Sequence, residues 1–294
     1  MTTNRFAALL ADRAPVFDGG YGWLLQERGL PAGDCAELWN LEHPDQIGAL
    51  HEEYALAGAS VLTTNTFGGT APRLAMNGLE DKVDDINRAA AAVAREVADR
   101  HDILVAGDLG PTGELLEPMG TMTQDQAVEL FSAQLRGLLE GGIDLVLIET
   151  MSDLSEARAA IEAARQVAPD LPVVATMSFD TNLRTMMGVT PGAAAKALAA
   201  AGADVVGANC GRGPDEMTVI AEQLLAARPE GVLLITQSNA GLPQLDGADF
   251  VYTVGPSELG AHARALRDLG VDIVGGCCGS SPEHVAAIRA AVLA

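Results

Sequence analysis

The chain has 294 residues, 48% of them hydrophobic and only 4% aromatic, so Ala, Val and Leu must fill a large core. Forty acidic residues against 18 basic ones leave a net charge of -22, which repels phosphate backbones and argues against nucleic acid as a partner. No apolar run approaches the roughly 20 residues of a membrane span, and the N-terminal stretch reads as a short helix over 5–12 rather than a signal core. A cytoplasmic protein with reduced cysteines is therefore expected.

In chain order, eight short apolar runs end in polar or glycine-containing segments. Pro15-Val16-Phe17 leads to Asp18-Gly19-Gly20, and Ser60 to Thr64 leads to Asn65-Thr66-Phe67. Ile103 to Gly107 leads to Asp108, Asp144 to Ile148 to Glu149, and Val173 to Met177 to Ser178. Val205 to Asn209 leads to Cys210, Val232 to Thr236 to Gln237-Ser238-Asn239, and Ile273-Val274 to Gly275-Gly276-Cys277-Cys278-Gly279. Such runs read as strands buried on both faces. Helical patterns separate them, over 81–100, 124–140, 153–167, 191–201, 215–227, 256–269 and 282–293. Three of these carry proline at the first helical position: Pro191, Pro256 and Pro282. Strand then helix, eight times, predicts an α/β protein formed as a single (β/α)8 TIM barrel over residues 1–294. An open doubly wound sheet is the rival, but no GxGxxG follows the first strand. The long segments 19–59 and 108–123 are expected to be active-site loops.

A barrel collects its chemistry at the C-terminal ends of the strands. Cys210, Cys277 and Cys278 all fall there, and three thiolates with one open position are the donor set of a catalytic zinc site. Buried structural cysteines and a vicinal disulfide are the competing readings. Cys35 lies in a loop and is not expected to be a ligand. The five histidines fall on helices or their edges, so an all-sulfur Zn2+ site is favoured. A metal so rich in thiolate is a poor Lewis acid for carbonyls but lowers the pKa of an incoming thiol. The implied chemistry is alkyl transfer to a substrate sulfur. Asp18 and Glu149 each end an apolar strand, where a carboxylate needs a cation or hydrogen-bond donors. A substrate ammonium supplies both, and an internal ion pair or helix cap is the alternative. Backbone N–H groups of Gly19-Gly20 are candidates to hold a carboxylate.

Taken together, Asp18-Gly19-Gly20, Thr64-Asn65-Thr66-Phe67, Gly110-Pro111-Thr112, Ile148-Glu149-Thr150, Gly207-Ala208-Asn209-Cys210-Gly211 and Gly275-Gly276-Cys277-Cys278-Gly279 resemble the homocysteine S-methyltransferase family over nearly the whole chain. The resemblance implies a (β/α)8 barrel, zinc on Cys210, Cys277 and Cys278, and the homocysteine ammonium on Asp18 and Glu149, with Gly19 beside it. The segments Glu37-Leu38-Trp39-Asn40, Gly113-Glu114-Leu115-Leu116 and Ser178-Phe179-Asp180 look like the bacterial betaine–homocysteine methyltransferases. They imply betaine as methyl donor, in a pocket drawn from Trp39, Phe67, Tyr21 and Asn65. Trp23 and Phe179 are further candidate walls. Tyrosines that the animal betaine enzymes carry stand here as Gly68 and Thr150. S-methylmethionine, S-adenosylmethionine and a separate methylcobalamin protein are the other donors found in the family. The reactants are small molecules, and the sequence does not specify an oligomeric state.

Overall fold

The computed structural model describes residues 2–11, 15–246 and 249–294. Seven strands form one parallel sheet: β1 (Val61–Thr63), β2 (Leu104–Leu109), β3 (Leu145–Met151), β4 (Val173–Met177), β5 (Val205–Cys210), β6 (Leu233–Ser238) and, after a small hairpin, β9 (Ile273–Gly276). They pair in chain order from β1 through β6 to β9. The hairpin is β7 (Gln244–Asp246) and β8 (Asp249–Val251), an antiparallel pair outside the main sheet that the apolar runs did not anticipate. The sheet is curled rather than flat. Its two edges are bridged by the first apolar run, which forms two isolated parallel bridges, Val16 to Val274 on β9 and Phe17 to Val61 on β1, in place of a named strand. The Phe17 N–H donates to Val274 O at 2.9 Å and the Ser60 N–H to Val16 O at 2.7 Å.

The helices are α1 (Thr2–Ala11), α2 (Gly22–Glu27), α3 (Trp39–Glu42), α4 (Pro44–Leu56), α5 (Ala71–Ala75), α6 (Val83–His101), α7 (Gln124–Gly141), α8 (Leu154–Val167), α9 (Pro191–Ala201), α10 (Pro214–Ala227), α11 (Pro256–Leu269) and α12 (Pro282–Leu293). The expected helix over 5–12 appears as α1, with residue 12 outside the described residues. The three prolines sit at helix starts, as expected. Their fixed φ suits the first turn, where the missing N–H has no intrahelical partner anyway.

Two buried layers follow from the period-two alternation of a strand. Outward side chains such as Val105, Val146, Val206 and Leu234 pack beneath the helices in the larger core. Inward ones, Phe17, Val61, Ala106, Leu147, Val174, Val205, Ile235 and Ile273, fill the interior of the curled sheet. Phe6 of α1 joins this inner cluster, and Arg5 reaches Asp144, just before β3, at 3.2 Å. Helix α1 therefore covers the N-terminal end of the sheet. Toward the C-terminal end the buried positions turn polar: Thr63, Asp108, Thr176, Asn209 and Gln237. A parallel sheet puts all these strand ends on one side, so the polar layer collects at a single mouth.

Candidate metal and substrate site

Cys210 ends β5 with φ at 58°, in the left-handed region that a non-glycine residue adopts at a cost. The turn carries its sulfur across to the loop that follows β9. There Cys210 Sγ lies 3.1 Å from Cys277 Sγ and 3.7 Å from Cys278 Sγ. The three sulfurs lie within 4.8 Å of one another and are the one such cluster of potential ligands among the described residues. Tetrahedral zinc with Zn–S bonds near 2.3 Å holds its sulfurs about 3.8 Å apart. Cys210 and Cys278 already stand at that spacing, and Cys210 and Cys277 would have to part by about 0.7 Å. All four cysteines are free thiols, so the vicinal disulfide is not formed, and Cys35 lies elsewhere, bonded to Glu37 at 3.3 Å.

Backbone and amide contacts hold the cluster. Asn239, just past β6, donates to Gly211 O at 2.8 Å and accepts the Cys278 N–H at 3.1 Å, which fastens one cysteine loop to the other. The Cys277 N–H donates to Ser238 O at 3.0 Å. Hydrogen bonds from Cys210 and Cys277 pull Cys278 down to about 3, and hydrogen bonds to Cys210 and Cys278 push Cys277 well up.

Beside the sulfurs opens a cavity of about 290 Å3 at the C-terminal mouth. Asp18, Gly19, Tyr21, Asn65, Phe67, Glu149 and the three cysteines all line it, so most of the expected site residues come together. Trp39 does not. It is 9% exposed, packs within the outer core and meets His43 edge-on with ring centroids 4.8 Å apart. Phe179 is likewise buried in the core. Trp23 stands instead against Tyr252, centroids 6.0 Å apart.

The carboxylates differ in how far the protein satisfies them. Asp18 accepts the Thr63 N–H and the Tyr21 hydroxyl on Oδ2, both at 2.6 Å, and the Thr63 hydroxyl on Oδ1 at 2.7 Å. Burial nevertheless raises it to about 6. Tyr21 in turn lies 2.9 Å from His51 Nδ1. Its own proton goes to Asp18, so His51 must donate from Nδ1, and burial keeps that imidazole neutral, at about 3. Among the described residues Glu149 has a single weak partner, Asn209 Nδ2 at 3.5 Å. Burial first, then the Cys278 thiolate and Asp18, push it to about 8. Glu37 accepts the Gly68 N–H at 2.6 Å and the Cys35 thiol at 3.3 Å.

Two expectations change. Gly19-Gly20 does not present a pair of open amides, because the Gly20 N–H donates to Ser280 O at 3.0 Å. These glycines serve close approach instead: a Cβ on Gly19 would run into Ser280 O and the Tyr54 hydroxyl, and one on Gly20 would lie 2.9 Å from Cys277 O. The first loop is thereby pressed against the cysteine loop. Asn65 lines the cavity but spends its amide on Ala36 O at 2.8 Å and Asn40 Oδ1 at 3.2 Å, which pins the 36–40 segment over the mouth.

Two features went unread in the sequence, and a third was read only as a strand end. Asn209 accepts the Thr150 N–H and the Thr176 hydroxyl and donates to Thr150 Oγ1, at 2.7–2.8 Å, and so fixes the Glu149-Thr150 turn. Its place beside Cys210 in a strand-end motif was the available signal. Tyr252, after the hairpin, stacks its ring over Gly279 where any Cβ would collide. No motif marks it. Asp108 lines the cavity with its carboxylate among the other acids. It was visible only as one more strand-end residue.

The sequence model described as homocysteine S-methyltransferase matches residues 15–292. A methionine synthase of Mycobacterium leprae is 33% identical over 96% of this chain and 24% of its own length. That of Mycobacterium tuberculosis is also 33% identical, over 97% of this chain and 25% of its own. The chain thus spans about a quarter of the length of these curated relatives. Among solved structures, an oxidised form of the homocysteine methyltransferase MmuM from Escherichia coli superposes with a TM-score of 0.82 at 22% identity, covering 98% of this chain and 99% of that one. At that identity the likeness speaks for the fold.

Proposed function

The chain belongs to the homocysteine S-methyltransferase family, and from that premise we propose that it moves a methyl group from betaine to the thiol of homocysteine, giving methionine and dimethylglycine. The observation that carries this reading is the convergence of Cys210, Cys277 and Cys278 on one point at the mouth of a cavity lined by Asp18 and Glu149. Zinc bound by the three sulfurs supplies one thing, an acidified substrate thiol whose proton leaves to solvent. The chain's own residues do the rest. Glu149, short of donors, accepts the homocysteine ammonium, and the remaining lone pair of Asp18 assists. Asn209 keeps Glu149 beside the sulfurs. Tyr21 and Phe67 flank the donor and exclude water, so that opposite charges meet in a dry site. The sulfur lone pair forms the new S–CH3 bond as the C–N bond breaks and its electrons return to nitrogen. No general base is needed at that step.

The cavity of about 290 Å3 lies just below the roughly 300–1,000 Å3 usual for ligand pockets. That favours a donor of betaine size over a nucleoside sulfonium. We also propose that the first apolar run acts as the opening strand of a single closed (β/α)8 barrel spanning residues 1–294. No helix among the described residues is long and apolar enough to cross a membrane, and we place the protein in the cytoplasm. A second reading is favoured by the methionine synthase relatives, of which this chain matches a quarter. There the chain is the homocysteine-activating part and a separate methylcobalamin protein brings the methyl group. Zinc-loaded protein incubated with homocysteine and each donor in turn, with methionine measured, separates the two. Turnover with betaine supports the first; turnover only with a methylcobalamin protein supports the second.

A further inference from the structure

Four carboxylates line the cavity: Asp18, Glu37, Asp108 and Glu149. Among the described residues that line it, none is Lys, Arg or His. Asp18 holds three protein hydrogen bonds and Glu37 two. Glu149 is tied to the sulfur side, since Asn209 Nδ2 lies 3.5 Å from its Oε2 and 3.7 Å from Cys277 Sγ. Homocysteine brings one ammonium, and that completes this side.

Asp108 is left over. It is 2% exposed, and its Oδ1 has no hydrogen-bond partner among the described residues. Its position is nonetheless tightly built through the main chain. The Asp108 N–H donates to Thr64 Oγ1 at 3.0 Å, and its carbonyl accepts from Thr66 Oγ1 at 2.8 Å and Gln134 Nε2 at 3.1 Å. It sits on β2, beside Glu149's strand β3 and one strand further from Cys210 on β5. Its neighbour Gly110 packs directly on Phe67, the aromatic wall of that side. A buried carboxylate with no donor and three acidic neighbours is costly unless a cation fills the space before it. An aromatic ring lining the same cavity, Phe67, is the other half of an onium site.

We propose that Asp108 is a specificity-determining residue for the methyl donor, which selects a positively charged onium group, quaternary ammonium or sulfonium, over an uncharged group of the same shape. The proposal rests on the methyltransferase reading for the identity of the ligand but not for the charge preference itself.

The test is calorimetric titration of the zinc-loaded protein, with and without homocysteine. One pair of probes is betaine and its carbon isostere 3,3-dimethylbutyrate. The other is S-methylmethionine and its carbon isostere 2-amino-5-methylhexanoate. We expect one onium to bind at least about tenfold tighter than its isostere, as a charge-assisted contact should give. The pair that shows the preference identifies the donor as ammonium or sulfonium. Asp108→Asn, which keeps the shape and every main-chain bond, should bring the preference within about twofold and leave homocysteine affinity unchanged. Asp108→Ala should do the same. Three results overturn the proposal: no onium binding by the unaltered protein, an undiminished preference in both variants, or loss of homocysteine affinity in Asp108→Asn equal to the loss of onium affinity. An onium preference abolished by Asp108→Asn in a protein that neither binds nor methylates homocysteine would instead sink the methyltransferase reading and leave the Asp108 subsite standing.

Discussion

The two walls of the cavity are built differently. The sulfur wall comes from strand ends: Cys210 closes β5, Cys277 and Cys278 follow β9, and Glu149 lies on β3. Cys210 is placed by the β5–β6 ladder, Glu149 by the irregularity in β3 between Ile148 and Met151, and the paired cysteines directly after the last β9 pairing, with Asn209 or Asn239 as amide braces. The opposite wall comes largely from loops, with Tyr21 after the first apolar run, Glu37 in the 36–40 segment and Phe67 after β1. Its members are held by one another, as when Glu37 accepts the Gly68 N–H and Asn65 donates to Ala36 O. Ladder register decides where a strand-end side chain points, whereas a loop side chain can turn either into the cavity or into the core. Trp39 and Phe67 show both outcomes within one wall.

Breaking the sulfur wall should have the largest effect. Cys277→Ser with Cys278→Ser should abolish zinc binding and methyl transfer together, whereas Cys35→Ser should hold about one zinc per chain, read by metal analysis. Full zinc occupancy in the double variant would refute the assignment. Trp39→Ala sharpens the contrast next. Because Trp39 is core rather than cavity wall, the change should cost about 3–5 kcal/mol of unfolding free energy in denaturant titrations, as for other large-to-small core changes. The KM for donor in the surviving fold should stay within about twofold, since Trp39 does not line the cavity, and a rise near 30-fold would return it to the donor site.

Glu149→Ala should weaken homocysteine binding by about 1.5–3 kcal/mol, roughly 10- to 100-fold, with zinc retained. Equal affinities in variant and parent would assign Glu149 to structure. On the loop wall, Phe67→Ala should raise the KM for an onium donor by up to about 30-fold, the worth of a desolvated cation–π contact near 2 kcal/mol. An unchanged value would remove Phe67 from the donor site. The last effect is on pH. Asp18 is raised to about 6 by burial, so the folded ligand-free protein binds more protons than the unfolded chain between its ordinary value and 6. The contribution of Asp18 is therefore fully present below pH 4 and fades as pH rises to 6, with a slope of at most about 1.4 kcal/mol per pH unit. Saturating homocysteine, which brings a cation, should flatten that slope in thermal melts. A slope of opposite sign in ligand-free protein would show that Asp18 is not the dominant group.

The sequence by itself determined the barrel-like order and the chemistry of the sulfur wall. Short continuous apolar runs alternating with longer helical patterns read as strands covered on both faces, and parallel strands send all their C-terminal ends to one side. Once Cys210, Cys277, Cys278, Asp18 and Glu149 are each read as strand ends, their meeting follows without any knowledge of distance. Strand limits were less legible. β2 continues through Asp108 and Leu109 because hydrogen bonding persists past the apolar run, and Pro15-Val16-Phe17 makes bridges where a strand was expected. Only the tertiary structure decided which loop aromatics face the cavity, that Tyr252 lies over Gly279, that the Gly20 amide is spent on Ser280, and that Asp108 is the carboxylate left without a donor. The physical reason is one of range. Periodicity orients a side chain relative to its own strand, but a hydrogen-bond partner or a cavity is supplied by segments tens to hundreds of residues away, and no local pattern records which partners remain unspent.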